Sequence, residues 1–257
     1  YLIFVINMGQ TLCLGIYVGS VTFCLTFLNF LFSLLPNTIY SYIYFYFIKT
    51  YNFMLKNEIV IIGNINSINN QQFIFVSNHF DGVDFPVLYE ALSKPYNRYL
   101  KTIAKSDLIL PDSLGLLGKI INNMFFKSLN LIPYERGNKE SGKNVLNNVK
   151  TYLNENKNTN LLVFPEGQSR VGGEITNFKP GIFKYASENQ ICIVPITISY
   201  SNFQGSNKGD PPALGNWFGN KVYIKIHDII RPSSYDDMLS KAFNSILKQI
   251  EDNKKEV

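Results

Sequence analysis

The first 48 residues of this chain contain no Asp, Glu, Lys, Arg or His. All 24 basic and 19 acidic side chains lie from Lys49 onward. An uncharged run of that length exceeds an ordinary core helix, and the split implies two solvents, lipid for the first part and water for the second. Leu12 to Leu35 is long enough to cross a bilayer at about 1.5 Å per residue. Ser33, Pro36 and Asn37 then interrupt it. Thr38 to Ile48 follows, crowded with Tyr40, Tyr42, Phe45, Tyr46 and Phe47, and aromatic side chains of this kind collect at the membrane interface. Lys49 and Lys56 come next and fall on the cytosolic side by the positive-inside tendency. The expectation is a transmembrane or membrane-embedded helical segment over residues 1–48 and a cytosolic domain over residues 49–257. The chain begins at Tyr1 rather than Met, which reads as a fragment.

Charged residues make up 17% of the chain and hydrophobic residues 46%. Soluble domains average roughly 25% charged, so a disordered or solvating chain is excluded. The net charge of +5 is carried entirely by the later part. It fits a membrane surface or an anionic substrate, and the apolar start favours the membrane. A nucleic-acid surface would cluster Lys and Arg with interleaved aromatics, whereas these basic residues are scattered. Cys13, Cys24 and Cys192 sit in apolar surroundings without metal or CxxC spacing, as expected of reduced cysteines.

After residue 56 short apolar runs alternate with helical patterns. Glu58–Gly63, Gln72–Ser77, Tyr99–Ala104, Asn130–Tyr134, Asn160–Phe164, Ile191–Tyr200 and Lys221–Asp228 read as strands. Leu114–Phe126, Lys143–Asn156 and Pro180–Glu188 read as helices, and Leu239, Phe243, Ile246, Leu247 and Ile250 define a last amphipathic one. Ser206–Gly219 reads as a loop and Asn253–Val257 as a frayed tail. The alternation predicts an α/β sheet covered by helices on both faces.

Of the two histidines, His79 lies just after a strand in the run Asn78-His79-Phe80-Asp81-Gly82-Val83-Asp84. On a regular helix residues five apart are about 140° apart and do not meet. Asp81-Gly82 is a turn signal, and Pro86 suits the first turn of a helix starting near Asp84. Such a turn brings the carboxylate back to the imidazole, where it fixes the tautomer and leaves the other ring nitrogen as a base. A second strand ends in Phe164-Pro165-Glu166-Gly167-Gln168-Ser169-Arg170, and a third in Leu131-Ile132-Pro133-Tyr134-Glu135-Arg136. The carboxyl ends of strands are where α/β sheets bind ligands. His227 reads as an ordinary strand residue, and no metal-ligand cluster is visible.

Taken in this order, the blocks resemble the glycerolipid acyltransferase family that includes the lysophosphatidic acid acyltransferases. Asn78-His79 to Asp84 matches the NHxxxxD block, Ile132 to Arg136 the block ending in Arg, Phe164–Arg170 the FPEGTRS block and Val194–Ile196 the Val-Pro-Ile block. Lys105-Ser106-Asp107-Leu108 is similar to the family's Lys-x-Glu-Leu. The resemblance covers roughly residues 56 to 232 and implies an α/β fold with a mixed sheet flanked by helices. It departs at one place, where Gly-Thr-Arg-Ser is Gly-Gln-Ser-Arg, so that Arg170 is displaced by one residue.

The resemblance implies a membrane enzyme that moves a fatty acyl group from acyl-CoA to a glycerolipid hydroxyl, with lysophosphatidic acid the expected acceptor and no further cofactor. Glycerol 3-phosphate, another lysophospholipid or lysocardiolipin are alternative acceptors, and a catalytically silent membrane-binding protein is the alternative of another class. The residue chemistry agrees. His79 takes the proton of the attacking alcohol, and Asp84 orients it. No G-x-S-x-G occurs, and Cys192 lies inside an apolar strand, so direct transfer is simpler than an acyl-enzyme. Arg136 and Arg170 are expected to hold the acceptor phosphate, with Lys105 and Lys179 next in line. Asn78, Glu166 and Gly167 complete the expected substrate-binding set. The expected location is the endoplasmic reticulum membrane, with the domain facing the cytosol.

Overall fold

The computed structural model describes residues 37–63, 72–80, 84–93, 100–105, 115, 126, 131–135, 139–155, 159–168, 175–201 and 219–255. Among them the chain forms helix α1 (Asn37–Met54), strands β1 (Glu58–Ile62) and β2 (Phe73–Ser77), helix α2 (Asp84–Ser93), strands β3 (Leu100–Lys105) and β4 (Leu131–Tyr134), and helix α3 (Lys139–Glu155). Strand β5 (Asn160–Val163), helix α4 (Gly181–Glu188), strands β6 (Cys192–Tyr200) and β7 (Lys221–Ile226) and helix α5 (Tyr235–Lys255) follow. The expected membrane span Leu12–Leu35, helix Leu114–Phe126 and most of loop Ser206–Gly219 lie outside the described residues. No described helix is long and apolar enough to cross a membrane.

The seven strands form one sheet in the order β1-β7-β6-β2-β5-β3-β4. Strands β6, β2, β5, β3 and β4 are mutually parallel. Strand β7 is antiparallel to β6 and parallel to β1, which makes the sheet mixed, as expected. Because side chains alternate across a strand, Phe73 and Phe75 of β2 face one core and Ile74 and Val76 the other. The first core takes in Tyr44, Val87 and Leu88 from α1 and α2. The second takes in Val149 of α3, Phe183 of α4 and Met238, Ala242, Ile246 and Ile250 of α5. All five parallel strands end at one edge, at Ser77, Lys105, Tyr134, Val163 and Tyr200.

Helix α1 runs without a break past residue 48, where the aromatic run meets the first lysine. Tyr44 and Ile48 are buried, and the Tyr44 ring meets Tyr89 of α2 edge-on at 4.8 Å. One turn further, Asn52 Nδ2 donates to the Pro86 carbonyl at 3.1 Å and to Glu90 Oε2 at 2.8 Å. The outer side of the helix leaves Tyr46 62% and Phe53 80% exposed.

Two local expectations are corrected. The tail from Asn253 is not frayed up to Lys255, since α5 extends that far. Gln249 Nε2 donates to Asn253 Oδ1 at 2.8 Å, and Asn253 Nδ2 donates to Ser199 Oγ at 3.2 Å, tying the end of the helix to β6. In α5, Ile246 and Ile250 are buried as expected, but the preceding turns bury Met238 and Ala242, with Leu239 and Phe243 packed against the core only partly buried.

Candidate active site

Strand β2 ends at Ser77, and the next two residues leave the sheet at its carboxyl edge. Asn78 holds the exit: its Nδ2 donates to the Ile198 carbonyl at 3.0 Å, and its Oδ1 accepts the Ile198 N–H at 2.9 Å. An amide side chain thus fills two backbone hydrogen-bonding positions of β6. Asn78 was expected among the substrate-binding residues, and this buried pair directs its polar atoms into the sheet instead.

His79 follows, with its side chain 20% exposed. Its Nδ1 lies 2.8 Å from Asp84 Oδ2, so the contact expected between imidazole and carboxylate forms. Asp84 opens α2, where the helix N-terminus favours a carboxylate. The same Oδ2 accepts the Phe80 N–H at 2.6 Å, and Oδ1 accepts the Tyr200 hydroxyl at 2.5 Å. A carboxylate accepts only, so a neutral imidazole facing it donates from Nδ1. That tautomer presents Nε2 as a base. The Phe164 ring stacks on the imidazole, with centroids 4.1 Å apart and planes 20° apart, which holds the ring plane.

Strand β5 lies beside β2 and delivers Phe164, Pro165, Glu166 and Gly167 to the same edge. Glu166 is buried and accepts the His79 N–H on Oε1 at 3.0 Å. Its Oε2 accepts both the N–H and the hydroxyl of Thr176 at 3.0 Å. Glu166, expected in the substrate-binding set, is thus engaged by protein donors at both oxygens. Burial pushes its pKa up from the ordinary value, and the Thr176 and His79 hydrogen bonds oppose that rise.

Gly167 has φ +71, a left-handed conformation that glycine adopts freely. A Cβ there would collide with the Lys179 Nζ end, so the lysine tip lies against this turn. The Lys179 N–H donates to the Pro165 carbonyl at 2.9 Å, which ties the Phe178-Lys179-Pro180 stretch to the glutamate turn. Lys105 ends β3 at the same edge of the sheet. Arg136, Ser169 and Arg170 lie outside the described residues.

Tyr200 and Thr176 were not singled out in the sequence. Tyr200 carried one usable signal, as the last residue of a strand ending at the ligand-binding edge. Thr176 carried none. His227 lies away from the Asp84 carboxylate, with its Nε2 2.8 Å from Thr197 Oγ1. Burial, with Lys225, lowers its pKa from 6.5 to about 4. Among the described residues no group of His, Cys, Asp and Glu could hold a metal ion.

The sequence model of the family named Acyltransferase matches residues 58–199, more than half of the chain. The chain belongs to the Acyltransferase family. Within this family it is similar to the 1-acyl-sn-glycerol-3-phosphate acyltransferase LPAT1, chloroplastic, of Arabidopsis thaliana, at 25% identity over 69% of this chain and 45% of the relative. It is similar to the 1-acyl-sn-glycerol-3-phosphate acyltransferase of Cocos nucifera at 27% identity over 57% of this chain and 42% of that one. The matches thus span less than half the length of these plant relatives. The crystal structure of the 1-acyl-sn-glycerophosphate (LPA) acyltransferase PlsC from Thermotoga maritima superposes with a TM-score of 0.68 at 20% identity. It covers 95% of this acyltransferase-family chain and 96% of its own, a likeness of fold.

Proposed function

We propose that this acyltransferase-family chain transfers a fatty acyl group from acyl-CoA to the free hydroxyl of 1-acylglycerol 3-phosphate, giving phosphatidic acid. The observation that carries this reading is the His79–Asp84 pair at the carboxyl edge of the sheet, with Nε2 left as the base. An alcohol is a poor nucleophile at neutral pH. Nε2 takes its proton as the oxygen attacks the thioester carbonyl, and buried Asp84 stabilises the imidazolium that forms. When the tetrahedral adduct collapses, the C–S bond breaks and the proton passes to the departing CoA thiolate. The products are the ester and free CoA.

Glu166 serves by fixing the His79 backbone, and Asn78 by anchoring the strand end. Arg136 and Arg170 are the proposed phosphate ligands, since a guanidinium fork matches phosphate oxygens. Lys105 and Lys179 stand in reserve. The names of the plant relatives support 1-acylglycerol 3-phosphate as the acceptor. The donor, acyl-CoA, is proposed from the resemblance to the glycerolipid acyltransferases.

Residues 1–48 are proposed as the lipid-embedded segment, and the catalytic domain as facing the cytosol at the endoplasmic reticulum. Their lack of charge supports this. So does the exposed aromatic side of α1, with Tyr46 and Phe53 flanked by exposed Lys49 and Lys56. The test is CoA-thiol release by the purified chain in vesicles, with palmitoyl-CoA and separate acceptors: 1-acylglycerol 3-phosphate, glycerol 3-phosphate, lysophosphatidylcholine and lysocardiolipin. Release stimulated most by 1-acylglycerol 3-phosphate is expected. Stimulation by another acceptor alone reassigns the substrate, and no stimulated release by any of them rejects the reading.

A further inference from the structure

The geometry points to Tyr200 as a positioning residue of the acyl-transfer site, one that acts on the rate by holding the Asp84 carboxylate in register with His79. The inference rests on the proposed base, and its test keeps the two separable.

Asp84 has two oxygens in different situations. Oδ2 receives the His79 and Phe80 N–H groups. Oδ1 receives the Tyr200 hydroxyl at 2.5 Å, the length of a charge-assisted O–H···O⁻ bond. The side chain is fully buried. The terminal torsion of an aspartate is broad and roughly two-fold. A carboxylate held at one oxygen alone can therefore tilt out of the imidazole plane, and a donor at the far oxygen removes that freedom.

Tyr200 is itself fixed from two directions. It ends β6, where it is paired with Val222 of β7. Its ring also meets Phe80 edge-on, with centroids 5.6 Å apart and planes at 78°. Phe80 supplies the N–H to Oδ2, so the tyrosine touches both the carboxylate and the residue that donates to its other oxygen.

A phenol that merely fills the fold predicts something else. Its removal would lower stability and leave the rate of folded protein alone, and its effect would be the same whether or not Asp84 is present. Steady-state kinetics of the full chain in vesicles, with palmitoyl-CoA and 1-acylglycerol 3-phosphate, separate the two roles. Tyr200→Phe keeps the ring contact and deletes the hydroxyl. It is expected to lower kcat about 10- to 100-fold, the scale of a hydrogen bond to a charged group. Both KM values should hold within about twofold. In an Asp84→Asn background the same change should cost less than about threefold, because residues acting through one group are not additive.

Wild-type kcat in Tyr200→Phe, an equal loss in the Asp84→Asn background, or failure of Tyr200→Phe to fold each overturns the role. His79→Ala is measured alongside. If it is inactive while Tyr200→Phe turns over normally, only the Tyr200 inference falls. If His79→Ala turns over normally, the proposed base falls and the inference with it.

Discussion

The carboxylate of Glu166 receives the backbone N–H of His79 at 3.0 Å, joining the ends of β2 and β5 across the site. Its other oxygen receives the Thr176 N–H and hydroxyl. A carboxylate accepts at both oxygens, whereas a carboxamide must aim its NH₂ at one of these donors. Glu166→Gln should therefore destabilise the fold by about 1–3 kcal/mol, the cost of a buried unpaired polar group. It should also lower kcat more than either KM, since the shifted backbone is that of the proposed base. Urea unfolding with kinetics checks this. A variant of normal stability with only a raised acceptor KM would make Glu166 a substrate ligand.

Gly167 is the hinge of the same turn. Alanine there must hold a positive φ, which costs about 1–2 kcal/mol. Its Cβ would also displace the Lys179 tip, which is flexible and can swing aside. Gly167→Ala should lose about that amount of stability, and adding Lys179→Ala should recover less than half of it. The urea midpoints of the three variants decide between backbone strain and side-chain clash.

Helix α1 crosses the boundary drawn at residue 48 from charge alone. A truncation that removes residues 1–36 keeps the whole helix, whereas removing residues 1–48 deletes buried Tyr44 and Ile48. Losing side chains of this size costs about 2–5 kcal/mol each. The shorter truncation should keep a cooperative thermal transition, and the longer one should melt about 10 °C lower or more. Equal melting temperatures would show that these helix residues add nothing to the domain.

His227 gives the fold a defined acid sensitivity. Its pKa is lowered to about 4 by burial and by Lys225, with Asp228 opposing. Between pH 6.5 and about 4 the unfolded chain binds the proton and the folded chain does not. Stability therefore falls as pH drops through that window. His227→Gln, which keeps a hydrogen bond to Thr197 within reach, should show a smaller loss of urea stability between pH 7 and pH 4.5. Parallel losses in the two proteins would contradict this.

Strand positions were legible because they are apolar, short and bounded by turn residues, as β2 and β5 show. The His79–Asp84 contact was legible because a turn signal lies between two residues that a helix would separate. The Asp84–Tyr200 bond was not, since nothing local connects residues 116 apart. The direction of Glu166 was equally hidden, because the sequence shows a carboxylate at a strand end and not the donors folded around it. In α5 Ile246 and Ile250 were legible, whereas buried Ala242 was missed because so small a residue gives a weak hydrophobic signal. The end of that helix was misread because Asn253 is polar, and only the fold reveals its bond to Ser199.

His79 is the proposed base for acyl transfer to 1-acylglycerol 3-phosphate. It is tested most directly by CoA-thiol release from palmitoyl-CoA, comparing the wild-type chain with His79→Ala in the same vesicles and at matched folded protein. The wild type should release CoA in proportion to added 1-acylglycerol 3-phosphate. His79→Ala should be slower by about 10²–10⁴, with its thermal unfolding unchanged. Acceptor-dependent release by a folded His79→Ala protein at the wild-type rate would contradict the account.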